Sequence, residues 1–391
     1  MYGAGNIGRG FIGQIFFQSG YELTFIDVAD SLVEALNREK RYPVRILSEG
    51  TCEDIWIEGV SAVNGNTVEE AANAIAEADI LATAVGVRAL PFAAPVIAAG
   101  LTKRFAKTDK PLNIIICENL IDADTVLGTL LKSRLSVQHQ EIFDKSIGLV
   151  MASIGRMVPY QTEEMQSGNP LRICVEAYSS LPVDKAAFKG NIPSLTGMHP
   201  YDNFNFYIQR KLFIHNLGHA TCGYLGMIHG DKYLYEAVAN KDILVIAQNA
   251  MQESAQALSA QHTMPIADLH SHISDLLERF SNKALGDTCA RVGADTVRKL
   301  GKNDRFIGAI LLCAQNGINP VHITIGAAAA LFCHLQENNL PQTKQSAQAA
   351  LAEISELPEG SAETEKLLSC YSAFALSPGN FKAAVETFVT P

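Results

Sequence analysis

Gly3-Ala4-Gly5-Asn6-Ile7-Gly8-Arg9-Gly10-Phe11-Ile12-Gly13 stands at the head of the chain, and its reading decides the fold. Gly3, Gly5 and Gly8 keep the spacing G-x-G-x-x-G, with Asn6 and Ile7 between the second and third glycines. In a strand–turn–helix unit the first glycine makes the tight turn. The second lets the backbone approach a pyrophosphate, and the third lets the helix pack on the strand. The residues after Gly8 keep helical apolar spacing, and a helix N-terminus offers N–H groups and a dipole to an anion. Glu22-Leu23-Thr24-Phe25-Ile26-Asp27 then reads as a strand ending in an acid, 19 residues after Gly8. A carboxylate at Asp27 is placed to accept from the adenosine ribose hydroxyls. No arginine follows to receive a 2′-phosphate, so the expected cofactor is NAD.

Only Met1 and Tyr2 precede Gly3, whereas a doubly wound sheet puts a central strand there. The expectation is therefore that the physiological protein begins upstream of Met1. Downstream the strand and helix patterns continue. Pro43 to Ser48 and Cys52 to Val60 read as strands, and 68–77 as a helix. Asp79 to Gly86 is a buried strand with a small-residue end, which places Val85 and Gly86 close to a cofactor. A helix follows over 89–105. Leu112 to Cys117 is a parallel-type strand ending in Glu118-Asn119, and 147–153 is a further strand. Polar residues at the carboxyl end of such a strand lie at the ligand crevice; Asn119 could equally cap a helix over 121–131. The stretch from Gly190 to Pro200 marks a boundary. Beyond it the pattern is helical: 203–224, 232–238, 241–259, 265–280, 306–315 and 321–338, with two or three short amphipathic helices in the tail. The expected architecture is an α/β Rossmann-type dinucleotide-binding domain over 1–190, then an all-helical substrate domain over 191–391. The substrate is expected in the crevice between them.

Composition narrows the partners. The 391 residues carry a net charge of -10 with no basic block, which argues against nucleic acid and anionic membrane. Apolar runs such as 323–333 fall well short of the roughly 20 residues of a membrane span. No cationic start with an apolar stretch marks a signal peptide. The eight cysteines include no C-x-x-C pair and mostly sit in apolar runs. They read as reduced thiols of a cytoplasmic protein.

The chemistry concentrates in Lys211-Leu-Phe-Ile-His-Asn-Leu-Gly-His-Ala220. Read as an α-helix at about 100° per residue, Lys211, His219 and Asn216 fall within about 140° of one another. Phe213, Leu217 and Ala220 lie opposite. A lysine, an amide and an imidazole on one inner face cost desolvation. That trio suits carbonyl–alcohol interconversion: burial lowers a lysine's pKa, so it can take the hydroxyl proton as hydride leaves carbon. An amide N–H beside it donates to the oxygen as charge develops. The alternative is a boundary helix whose Lys211 reaches out to water. Arg291, Arg298, Lys299 and Arg305 suit a polyhydroxy or phosphorylated ligand, or else a solvated loop. His215 and His219 have a spacing that can bind zinc, but no third ligand accompanies them, so no metal is expected. His270 and His272 read as surface residues of a polar helix.

The stretches at 3–13, 113–119, 210–220 and 291–300 together resemble the polyol-specific long-chain dehydrogenases, over nearly the whole chain. The resemblance is nearest to the branch acting on mannitol 1-phosphate. It implies a metal-independent dehydrogenase with a Rossmann and a helical domain, interconverting mannitol 1-phosphate and fructose 6-phosphate with NAD. It implies Lys211 as general acid/base, Asn216 and Asn119 as the pair holding the oxyanion, and His219 as the group holding substrate beside the lysine. It also implies that Arg291 and Lys299 touch the polyol chain. One position departs: the family places Asp before the Arg-x-Val-Pro that follows the sixth strand, and this chain has Gly155. The departure leaves two alternatives. One is a related dehydrogenase for a hexonate, an unphosphorylated polyol or a hydroxyacid. The other is a non-catalytic NAD-binding protein, against which an intact Lys211, Asn216 and Asn119 argues.

Overall fold

The structure, a computed structural model, describes residues 1–48, 51–381 and 385. The chain divides into two compact units, Met1–Phe204 and Asn205–Pro391. Strands in the first unit are β1 (Leu23–Asp27), β2 (Arg41–Ser48), β3 (Thr51–Glu58), β4 (Val60–Asn64), β5 (Ile80–Thr83), β6 (Leu112–Ile116), β7 (Ile147–Met151), β8 (Ile173–Val175), β9 (Leu181–Asp184) and β10 (Met198–Tyr201). β1 pairs with β4, β5 with β6 and β6 with β7, all parallel. Every residue of β6 is buried, as the unbroken apolar run of a parallel strand requires.

Met1 and Tyr2 stand between β1 and β5. Tyr2 bridges Ile26 on one side and Thr83 on the other. Its N–H donates to the Ala82 carbonyl at 2.8 Å, and its own carbonyl accepts from Ala84 N–H at 2.9 Å. The Met1 amine donates to the Thr24 carbonyl at 2.8 Å, and burial pushes its pKa down to about 5. The order is thus β4-β1-(Met1–Tyr2)-β5-β6-β7, the doubly wound arrangement with its central position held by two residues. Toward the amino ends of β1 and β5 lies a cavity of about 900 Å³, lined by Met1, Leu23, Thr24, Ile80 and Leu81 among others.

β2 and β3 form an antiparallel hairpin, and β8 adds to β2 in parallel. β9 and β10 pair in parallel, and Val183 bridges Ala152 just beyond β7. The pairing of β10 with β9 keeps residues 191–204 in the first unit, past the glycine- and proline-containing stretch where the sequence places the break.

The described part of the second unit is helical. Its helices Leu234–Ala239, Lys241–His262, Ile266–Phe280, Ile307–Gln315 and Val321–Glu337 follow the apolar periodicity. Lys344–Ser355 and Ala362–Leu376 form the tail helices, and residues 382–384 and 386–391 of the expected tail lie outside the described residues. Ile323 through Leu335 are all buried, so Val321–Glu337 is a mostly apolar helix buried on every side. One reading needs correction. The segment 203–224 is not a single α-helix: an α-helix over Phe204–Arg210 passes into a π-helix over Lys211–Asn216, then an α-helix over Leu217–His229.

Candidate functional site

In the first unit the glycines divide the work. Gly3 has φ +94°, and a Cβ there would lie 2.5 Å from the Ala84 carbonyl oxygen. A Cβ on Gly8 would lie 2.0 Å from the Gly3 carbonyl oxygen, so neither residue tolerates a side chain. A Cβ on Gly5 would meet no heavy atom within 4 Å. That open space is what the close approach of a dinucleotide pyrophosphate requires. Asp27 closes the turn: its Oδ2 accepts from Ala4 N–H at 2.7 Å and its Oδ1 from Ala29 N–H at 3.0 Å. A carboxylate has lone pairs left over for a ribose hydroxyl.

Asn6 and Ile7 open the first helix, which begins as a π-turn over Gly8–Ile12, and the Gly13 N–H donates to the Gly8 carbonyl. Such turns often mark functional sites. Long polar side chains clamp the backbone around it. Arg9 Nε donates to the Ala4 carbonyl at 2.6 Å, and Tyr42 donates its hydroxyl to the Arg9 carbonyl at 3.0 Å. Arg156 Nη1 donates to the Gly10 carbonyl at 3.0 Å and to Gln14 Oε1 at 2.8 Å. Burial pushes Arg156 down to about 10, with Glu176 opposing.

Val85 and Gly86 follow β5, and Gly86 has φ +88°. Their backbone N–H groups donate to Glu118, Val85 to Oε1 at 2.9 Å and Gly86 to Oε2 at 2.8 Å. Burial raises the Glu118 pKa, and those two bonds oppose it. Asn119 is exposed at the carboxyl end of β6. It is not a helix cap, because the next helix starts at Ala123, preceded by Asp122.

In the second unit Lys211, half-buried, opens the π-turn and Asn216 closes it. Widening the helix turns the chain less per residue, so a residue five positions on returns nearer the same face. The π-turn therefore brings Lys211 and Asn216 closer together in angle than an α-helix would. His219 lies in the following α-helix. Its Nε2 meets Asp287 Oδ2 at 3.2 Å. Arg291 holds the same carboxylate in a fork, Nε to Oδ1 at 2.7 Å and Nη2 to Oδ2 at 2.6 Å. Burial would raise the Asp287 pKa, but hydrogen bonds from His219 and Arg291 hold it below the ordinary range. Burial lowers the pKa of His219, with Asp287 opposing. Arg305 is buried; its Nε donates to Asp304 Oδ1 at 2.8 Å and its Nη1 reaches the Asn216 carbonyl at 3.5 Å.

His215 is buried, and burial, followed by Arg279 and other neighbours including His219, His272 and Lys211, pushes its pKa well down. The His215 and His219 rings stand edge-on at 6.3 Å, and both pack on Phe280. Among the described residues no three His, Cys, Asp or Glu side chains are grouped to hold a metal ion. His270 is exposed, but His272 is not the surface residue its polar helix implies. It is half-buried, and burial, then Arg210 and Arg279, push its pKa down to about 3.

Residues 1–197 match the mannitol dehydrogenase Rossmann domain, and residues 203–376 match the mannitol dehydrogenase C-terminal domain. The chain belongs to the mannitol dehydrogenase family. It is 38% identical, over 84% of its length and 84% of the relative's, to a mannitol-1-phosphate 5-dehydrogenase of Brevibacillus brevis. Its fold is that of a D-sorbitol dehydrogenase in substrate-free form, with TM-score 0.81 at 14% identity over 98% of this chain and 94% of that one. It is equally that of Pseudomonas fluorescens mannitol 2-dehydrogenase in ternary complex with NAD and D-mannitol, with TM-score 0.78 at 14% identity, covering 100% of this chain and 94% of that one. The chain is accordingly a dehydrogenase acting on a CH–OH group.

Against the sequence expectations for this family, the structure adds partners. Lys299 is buried, and its ammonium donates to the carbonyls of Val292 and Ala294. Burial, with Arg305 and Arg298 nearby, lowers it to about 8. Two of its three donors are thus held within its own loop. Arg298 pairs with Asp295 at 2.6 Å and Asp304 at 3.1 Å. At Gly155 a Cβ would lie 3.1 Å from the Tyr178 ring, which fills the space beside the glycine. Sequence reading placed Glu118 with Asn119 at the ligand crevice but gave it no role, and it missed Asp287 and Arg156.

Proposed function

We propose that this chain interconverts a polyol phosphate and a keto-sugar phosphate, of the mannitol 1-phosphate and fructose 6-phosphate type, with NAD as hydride acceptor. The observation that carries this reading is the π-turn holding Lys211 and Asn216, in a chain 38% identical to a mannitol-1-phosphate 5-dehydrogenase. NAD fits the open space at Gly5, the acid at Asp27, and the Val85–Gly86 segment that Glu118 holds. When bound, it supplies the carbon that accepts hydride.

The protein's part is proton transfer and charge stabilisation. Lys211 takes the hydroxyl proton during oxidation and returns it during reduction. Asn216 donates an amide N–H to the oxygen as charge develops, and Asn119 is proposed as a second donor. His219, held by Asp287, binds a substrate hydroxyl. Arg291 serves the polyol chain or its phosphate: its side chain is 46% exposed, and among the described residues its Nη1 has no protein partner. Lys299 supports that loop and adds positive charge to it. These cations suit an anionic substrate.

Gly155, with the Tyr178 ring beside it, favours a second reading, an unphosphorylated polyol or a hexonate. A panel of polyol phosphates, polyols, hexonates and hydroxyacids, read by absorbance of the reduced cofactor with a chelator present, separates the readings. The expected result is highest kcat/KM with a hexitol phosphate. Highest kcat/KM with a substrate lacking phosphate would overturn the proposal, and restoration by zinc after chelation would overturn the lysine mechanism.

A further inference from the structure

We infer that Asp287 is a positioning residue: it fixes His219 with hydrogen on Nε2, so that Nδ1 meets the substrate as an acceptor and reads a hydroxyl donor. The inference rests on the assignment of His219 to the substrate site made above. A carboxylate only accepts hydrogen bonds, so the nitrogen facing it at 3.2 Å carries the hydrogen. The carboxylate cannot swing away, because the Arg291 fork holds both its oxygens at 2.7 and 2.6 Å. The imidazole is walled by Phe280 at 5.1 Å and His215 at 6.3 Å between ring centroids. Among the described residues Nδ1 has no protein partner. A neutral ring in this tautomer cannot donate to a ketone oxygen through Nδ1. It therefore selects a neighbouring hydroxyl, which a polyol and its keto sugar both carry. Selectivity for polyhydroxy substrates would then begin at a buried acid 68 residues away in sequence.

The isosteric change Asp287→Asn tests this. Arg291 donates to both oxygens, and His219 shares Oδ2 with its Nη2, so an amide at 287 cannot accept from all three donors. Either His219 or the arginine that steadies its partner loses a bond, and the fixed placing of the ring is lost with it. Nitrogen–proton NMR correlations on the full chain with isotope-labelled histidine read this directly, with His219→Gln assigning the signal. The unaltered chain should show the neutral Nε2–H form, and in Asp287→Asn that signal should shift or broaden. Alongside, KM for the preferred polyol substrate should rise about tenfold, while Kd for NAD changes less than about twofold. An Nδ1–H ring in the unaltered chain would overturn the proposal, even if Asp287→Asn did not fold. An unchanged ring signal in the variant, or a changed signal with KM unmoved, would overturn it too. The tautomer is read without substrate, so a failed substrate panel leaves this result to stand or fall by itself.

Discussion

The π-turn at Gly8–Ile12 and the π-turn at Lys211–Asn216 are held by different means. Around the first, backbone carbonyls take their partners from Arg9, Tyr42 and Arg156, and glycines stand where no side chain fits. Around the second, side-chain charges do the holding: Arg305 on the Asn216 carbonyl, and Asp287 with Arg291 on His219. The first is a steric device, in which glycines stand where a Cβ would meet backbone and side chains from as far along as Arg156 hold the carbonyls. The second is an electrostatic one, assembled from residues some 70 to 90 positions further along. A binding turn for one fixed chemical group can be rigid. A turn that moves protons needs neighbours whose charges set the state of its groups.

The sharpest way to break the contrast is to add one methyl group to each region. In Gly8→Ala the new Cβ would sit 2.0 Å from a backbone oxygen that cannot move aside. The expected loss is about 3 kcal/mol of stability, with NAD binding abolished, read from the denaturation midpoint and by titration. A variant that binds NAD normally would show that the turn is not sterically fixed.

Asp27→Ser is expected to act next in size. The carboxylate repels a 2′-phosphate, so the ratio of kcat/KM for NAD over NADP should narrow by about tenfold. Kd for NAD should also rise, because Asp27 accepts from Ala4 N–H. A preference for NADP in the unaltered chain would contradict the role given to Asp27.

Gly218→Ala should be the mildest. Its Cβ would meet Met251 at Sδ 2.3 Å, Cγ 2.8 Å and Cε 3.0 Å, a flexible side chain rather than backbone. The crowding is offset in part by alanine's better helix propensity, leaving a change of about 1 kcal/mol or less. A loss as large as that of Gly8→Ala would erase the distinction between the regions.

The same contrast explains what the sequence could tell. The glycine spacing, the acid at Asp27 and the buried runs at 80–83 and 112–116 are local patterns, and the strands lie where those patterns put them. The helices of the second unit follow their apolar period for the same reason. The π-turn at Lys211–Asn216 has no marker in apolar spacing, because a widened turn differs from an α-helix by one residue. Asp287 is one acid among 41 acidic residues until the fold brings it to His219. Lys299 reads as a cation for a ligand or of a solvated loop, and nothing in the sequence marks its burial or the two carbonyls it meets.

The proton-transfer role of Lys211 is tested most directly by turnover against pH in Lys211→Met, with Asn216→Ala alongside. Alcohol oxidation requires the lysine unprotonated, so in the unaltered chain kcat should rise with pH through its pKa. Lys211→Met should lower kcat by about 10²–10⁴-fold, flatten that limb and leave Kd for NAD within a few-fold. Asn216→Ala should lower kcat by about 10²–10³-fold and keep the limb, because the base remains. If Lys211→Met instead raised KM alone, with kcat and the pH limb intact, Lys211 would be a substrate-binding cation. The acid/base role would then pass to His219.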